Sequence, residues 1–164
     1  MIRFRVTSSL VRRARSGYVL VVSDTTTDAD DDAQLIAAAA AARDCSYAPY
    51  SDFHMGAAVR CADGTIVPGA LVENVSLGLA MCAERAALFA TVAQGLSPVA
   101  LAIVAKRTSG QLTFPCGACL QVALELAGTD LRIVAADPDG ASESTSVGDL
   151  LPRAPHRSTY APVH

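Results

Sequence analysis

Three cysteines lie in company that suggests chemistry: Cys82-Ala83-Glu84-Arg85, and 34 residues further on Pro115-Cys116-Gly117-Ala118-Cys119. A Cys-x-x-Cys pair alone has redox and structural-zinc readings. Cys82 supplies a third thiolate, and no second Cys-x-x-Cys exists to complete a four-cysteine site. Three protein ligands with one open position is the pattern of a catalytic zinc, because the fourth place can hold water. Three thiolates leave a divalent cation with a formal charge of −1, which blunts its acidity. Arg85, three residues beyond Cys82, can offset that charge by hydrogen-bonding the sulfurs; otherwise it is a surface arginine. Glu84 sits two residues from Cys82 and cannot easily ligate the same ion from the same helical turn. It can reach a water on the open side and move a proton there, which is general acid/base work. Away from the cysteines, it would be an acid stabilising a helix start.

These residues need helix starts to position them, and the pattern supplies two. Residues 82–94 read as a helix stopped by Gly95, and residues 115–126 as a helix opened by Pro115 and closed by Gly128. Free N–H groups and positive partial charge at such starts favour thiolate over thiol. Asp30, Asp31 and Asp32 precede an Ala-rich helix over residues 33–42, which ends before Pro49. Residues 55–61 and 65–73 read as a hairpin around Asp63-Gly64, with Pro68 marking an edge or a bulge. Buried strands follow at 99–105 and 131–136, and a short helix at 147–151. The order α-β-β-α-β-α-β predicts an α/β fold, a three-layer α/β/α sandwich with one mixed sheet.

The chain has 164 residues, 51% of them apolar and 18% charged, enough for one packed domain and too apolar for wholesale disorder. No apolar run approaches the ~18 residues that read as a membrane span. Net charge is −3, with one lysine (Lys106), arguing against a broad nucleic-acid surface. Five arginines and no acid lie within residues 1–22, while residues 23–164 hold eight cations against sixteen acids. The basic stretch lacks a secretory core and reads as a flexible extension, with an organelle transit peptide as the alternative. The expected domains are an extension over 1–29, a zinc-dependent domain over 30–155 and a tail over 156–164. The odd number of cysteines, with Cys45 and Cys61 completing the five, suits a reducing, cytoplasmic setting.

The two motifs match the ligand-x-Glu … Pro-Cys-x-x-Cys signature of zinc nucleobase deaminases in all-cysteine form. The chain resembles the small homotetrameric cytidine deaminases, and more distantly blasticidin S deaminase, from about residue 33 to residue 152. Tyr47-Ala48-Pro49-Tyr50-Ser51-Asp52-Phe53 and Gly69-Ala70-Leu71-Val72-Glu73-Asn74 carry the resemblance beyond the cysteines. It implies Cys82, Cys116 and Cys119 as ligands of Zn²⁺ and Glu84 as proton shuttle. It also implies the Ala83 N–H on the base carbonyl, Phe53 against the pyrimidine ring and Glu73 on the sugar 3′-hydroxyl. It implies a homotetramer.

The departures cluster around the sugar and the pocket rim. Leu71 stands where the family pattern has asparagine, Leu77 where an aromatic is common, and Phe114 where serine usually precedes Pro-Cys. Arg153-Ala154-Pro155 replaces the Ala-Phe whose ring closes a neighbouring pocket. The expected activity is zinc-dependent hydrolytic deamination of cytidine or deoxycytidine, with Leu71 as the substrate-determining departure. The alternatives are a deaminase of a modified cytosine nucleoside or other amino-heterocycle, and a non-catalytic structural zinc protein. His54, His156 and His164 carry no expected catalytic role.

Overall fold

A computed structural model describes residues 13–14, 17–18 and 28–155. Most of the expected extension over 1–29, and all of the tail over 156–164, lies outside the described residues. β1 (Arg13–Ala14) and β2 (Gly17–Tyr18) form a small antiparallel ladder apart from the main sheet. The main sheet is built from β3 (Met55–Cys61), β4 (Ile66–Ala70), β5 (Pro98–Ala105), β6 (Arg132–Ala136) and β7 (Ser142–Ser146). Its order is β4-β3-β5-β6-β7. The β5/β6 pair is parallel and the other three are antiparallel. The helices are α1 (Asp28–Asp44), α2 (Ala83–Ala93), α3 (Gly117–Ala127) and α4 (Val147–Leu150).

Side chains alternate strictly between two apolar layers, as strand geometry requires. Ala57, Val59, Leu101, Ile103, Ile133 and Ala135 face one layer with Ala87 and Leu88 of α2 and Ala123 and Leu124 of α3. Ala58, Ala100, Ala102, Val104, Val134 and Ala136 face the other with Leu35 and Ala39 of α1. The expected three-layer sandwich is the observed one. The α1 layer is thin because its sheet face is mostly alanine. At Gly56 the approach is so close that a Cβ would lie 2.1 Å from the Ala39 carbonyl oxygen. Two arginines at one level of the sheet, both in register with Ala100, reach the acids of α1: Arg60 pairs with Asp31, and Arg132 with Asp32.

Several boundaries differ from expectation. Helix α1 begins at Asp28, because acids are tolerated well within the first turn of a helix. Strand β4 ends at Ala70 rather than at Glu73, and Val72 instead bridges Met81 and Tyr47. Pro68 lies on an edge strand, where its missing N–H costs no ladder bond. Strand β7 was not expected at all. Its Ser-Glu-Ser-Thr-Ser sequence is exposed or half-exposed and has no apolar alternation to betray it. Among the described residues no helix is long and apolar enough to cross a membrane.

Candidate metal and substrate site

The two cysteine motifs reach one place because two helices start there. Cys82 is the N-cap of α2 and Cys116 the N-cap of α3, both with extended backbone (φ −66°, ψ 149° and φ −69°, ψ 164°). The expectation put these cysteines inside the helices; each stands one residue before. Their carbonyls accept the first helical bonds, from Ala86 N–H at 3.1 Å and Leu120 N–H at 2.9 Å. Neither sulfur caps a backbone N–H of its own helix. Cys119 follows in the first turn of α3 and is fully buried. Gly69 sets the height of α2 over the sheet: a Cβ there would lie 2.5 Å from the Ala83 carbonyl oxygen and 2.4 Å from the Ala87 nitrogen.

The three sulfurs of Cys82, Cys116 and Cys119 all lie within 4.8 Å of one another, and Cys116 Sγ is 3.5 Å from Cys119 Sγ. All are free thiols rather than disulfides. Hydrogen bonding from Cys119, aided by Arg85, pulls the Cys82 thiol down to about 5. The cost falls on Cys119, whose thiol is pushed far up by its bond to Cys82, by burial and by the Glu84 charge. Three sulfurs this close cannot all ionise without a cation between them. A soft, thiolate-binding divalent metal fits this donor set. Arg85 donates from Nη2 to Cys82 Sγ at 3.6 Å, the position expected of it.

Glu84 is 1% exposed, and its Oε2 is buried without a hydrogen-bond partner. Burial raises its carboxyl to about 6. A buried carboxylate left unpaired is costly, so an apolar side chain would suit a purely structural role better here. Ala83 is fully buried at the first position of α2, where a backbone N–H has no intrahelical acceptor.

The remaining expected residues lie on two stapled segments. Tyr47 N–H donates to the Leu71 carbonyl at 2.9 Å, and Glu73 N–H to the Tyr47 carbonyl at 2.8 Å. The Glu73 carboxylate accepts from Tyr50 N–H at 2.9 Å, Ser51 N–H at 3.3 Å and Ser51 Oγ at 2.5 Å. The Ser51 hydroxyl bond, first, and the Tyr50 amide hold its carboxyl below the usual range. Phe53 and Leu71 are half-buried and pack on the same apolar layer as Phe114, Leu151 and Ala154. Lys106 stands 5.9 Å above the Phe53 ring and donates from Nζ to the Asp52 carbonyl at 3.3 Å. His54 lies beside Ser46 and Asp52, serving the loop rather than the sulfurs. His156 and His164 lie outside the described residues.

Sequence reasoning missed Arg107 and Asp137. Asp137 follows directly after β6 with only 4% of its surface exposed, and Arg107 Nε donates to its Oδ2 at 2.6 Å. An isolated aspartate at a strand end carries no signal that would have singled it out.

Two helix starts that deliver thiolates beside a buried acid with one unpartnered oxygen are the layout of a zinc-dependent hydrolase. Residues 4–114 match the family model described as the cytidine and deoxycytidylate deaminase zinc-binding region. That stretch contains Cys82 and Glu84 and ends before Cys116. The cytidine deaminase of Halalkalibacterium halodurans is 41% identical over 113 residues, 69% of this chain and 85% of that protein. The crystal structure of cytidine deaminase from Burkholderia pseudomallei is 47% identical with a TM-score of 0.70, covering 74% of this chain and 97% of that one. For the Mycobacterium tuberculosis cytidine deaminase structure the values are 42%, 0.65, 76% and 96%. The chain belongs to the cytidine deaminase family.

Proposed function

We propose that this protein hydrolytically deaminates an aminopyrimidine nucleoside, cytidine or deoxycytidine by default, giving the uracil form and ammonia. The observation that carries this reading is Glu84, whose unpartnered Oε2 is buried beside three converging sulfurs. Cys82, Cys116 and Cys119 would hold zinc, which when bound supplies Lewis-acid activation of water at an open fourth position. Glu84 takes a proton from the attacking water and passes it to the pyrimidine N3. As the C4–N bond breaks, the same carboxyl takes the second water proton from the new C4 hydroxyl and delivers it to the leaving amine, so C4 exchanges an amino group for a carbonyl oxygen and ammonia departs. Burial supports this role by raising the carboxyl above its ordinary range. The Ala83 N–H is suited to the base carbonyl, Phe53 to the ring face and Glu73 to a sugar hydroxyl. Arg85 offsets the negative charge of the sulfurs.

Leu71 favours a second reading of the substrate. Its side chain offers no hydrogen bond next to Glu73, which suits a nucleoside modified or apolar at that point. A purely structural zinc site is opposed by the buried Glu84 and its unpartnered Oε2. We also infer a homotetramer acting in the cytoplasm. Val75, Leu77, Leu79, Phe89 and Val92 are exposed on the 75–79 segment and α2, with Leu77 85% exposed, an apolar surface suited to burial between copies. The five free cysteines suit a reducing compartment.

The test is ammonia release by zinc-loaded protein from cytidine, deoxycytidine, cytosine and a sugar-modified cytosine nucleoside. Release from a nucleoside is expected; none from any of the four would refute the activity. Sedimentation at micromolar concentration should show four copies, and a monomer would refute that assembly.

A further inference from the structure

The segment between β5 and the Cys116 motif is folded on itself and tied to the neighbouring strand at one buried point. Thr113 Oγ1 donates to the Lys106 carbonyl at 2.9 Å and lies 2.8 Å from Thr108 Oγ1. Thr108 and Gln111 exchange backbone bonds at 2.9 and 3.0 Å. The two ends of the segment are thus held together, and Cys116 follows only three residues after Thr113. Residues 107–110 reach the end of β6 through Arg107. Its Nε donates to Asp137 Oδ2, while its Nη1 donates to the Gly110 carbonyl at 3.2 Å. Asp137 Oδ1 is occupied by the Asp139 and Ala141 N–H groups, each at 3.0 Å. The carboxylate is therefore fixed from the β6 side and presents its second oxygen to Arg107 alone.

We propose that Arg107 and Asp137 are positioning residues for the metal-ligating pair Cys116 and Cys119. They form a clasp that fixes the 106–114 segment against the sheet, so the sulfurs of α3 meet that of Cys82. This rests on the three cysteines being the zinc ligands. The guanidinium bridges two points, one on β6 and one on its own turn, which a lysine ammonium cannot span in the same way. Residues that orient ligands from behind typically change metal affinity about 10- to 100-fold when altered.

The experiment is zinc affinity, by competition with a chromophoric chelator, on folded apoprotein well below its Tm. Arg107→Gln should raise the zinc Kd at least ~10-fold. Asp137→Asn keeps an oxygen for the Asp139 and Ala141 N–H groups but loses the charged partner, and should raise the Kd similarly. Arg107→Lys should give a smaller rise. Arg132→Gln, which breaks the ion pair to Asp32 on the opposite face of the sheet, should lower the Tm and leave the zinc Kd unchanged. If Arg107→Gln does not fold, Asp137→Asn and Arg107→Lys decide the matter. Wild-type zinc affinity in these folded variants would overturn the clasp alone. A wild-type protein that takes up no zinc would overturn the metal reading beneath it.

Discussion

Replacing Leu71 by asparagine tests the substrate side of the site. A carboxylate has about four acceptor positions, and Glu73 already accepts three bonds from Tyr50 and Ser51. One position remains, which on the proposed reading takes a sugar hydroxyl, and Leu71 beside it can neither donate nor accept. An asparagine amide would add one hydrogen bond, worth about 0.5–1.5 kcal/mol net, or about two- to twelve-fold in binding. The half-buried leucine also packs on the core layer, so the substitution should cost about 1 kcal/mol of stability. Kinetics on cytidine, deoxycytidine, cytosine and a sugar-modified analogue, with Tm as a control, would separate the two effects. The expected outcome is weak wild-type turnover of cytidine and a kcat/KM raised by Leu71→Asn despite a lower Tm. If the true substrate is apolar at this point, the substitution should lower its turnover while helping cytidine. Efficient wild-type turnover of cytidine that Leu71→Asn reduces would refute the reasoning.

Cys116→Ala should abolish the expected zinc content of about one ion per chain, measured by elemental analysis. Glu84→Gln should retain zinc and fold while losing ~10²–10⁴-fold in turnover; a near-wild-type rate would remove Glu84 from proton transfer. Gly69→Ala should force α2 away from β4, lowering stability by about 1–3 kcal/mol in denaturant titrations and weakening zinc binding. Asp137 is held below the ordinary carboxylate range, chiefly by Arg107. Its contribution to stability should be complete above about pH 4 and vanish as the pH falls through the lowered value. Circular dichroism should therefore place acid unfolding of Arg107→Gln at a higher pH than that of the wild type.

The parts of this molecule that announce themselves in sequence are those where residue type and period coincide. The strands β3, β5 and β6 show as apolar runs, and the cysteine motifs declare themselves through spacing and neighbours. Strand β7 stayed hidden because an exposed edge of serine, threonine and glutamate has nothing to bury on either face. The early end of β4 was equally hidden. The apolar character of Leu71 and Val72 continues past the ladder, and only tertiary bonds to Tyr47 and Met81 turn them aside. Helix starts were placed one or more residues early at both cysteine motifs, since an N-cap has extended backbone while its carbonyl already serves the helix. Arg107 and Asp137 are 30 positions apart and meet only because β5 and β6 are parallel neighbours.

Glu73 has a consequence for how this enzyme can be altered. The carboxylate proposed to grip a sugar is also the fastener that holds Tyr50 and Ser51, three and two residues before Phe53. Shortening or neutralising it therefore unfastens the turn that presents the aromatic ring. On the proposed roles of Glu73 and Phe53, the grip on the sugar and the grip on the base are mechanically one part. A library built to change sugar preference should leave Glu73 fixed and vary Leu71, whose backbone bonds to Met55 and Tyr47 persist whatever side chain it bears. The fastener sets which of these positions can change without moving the turn.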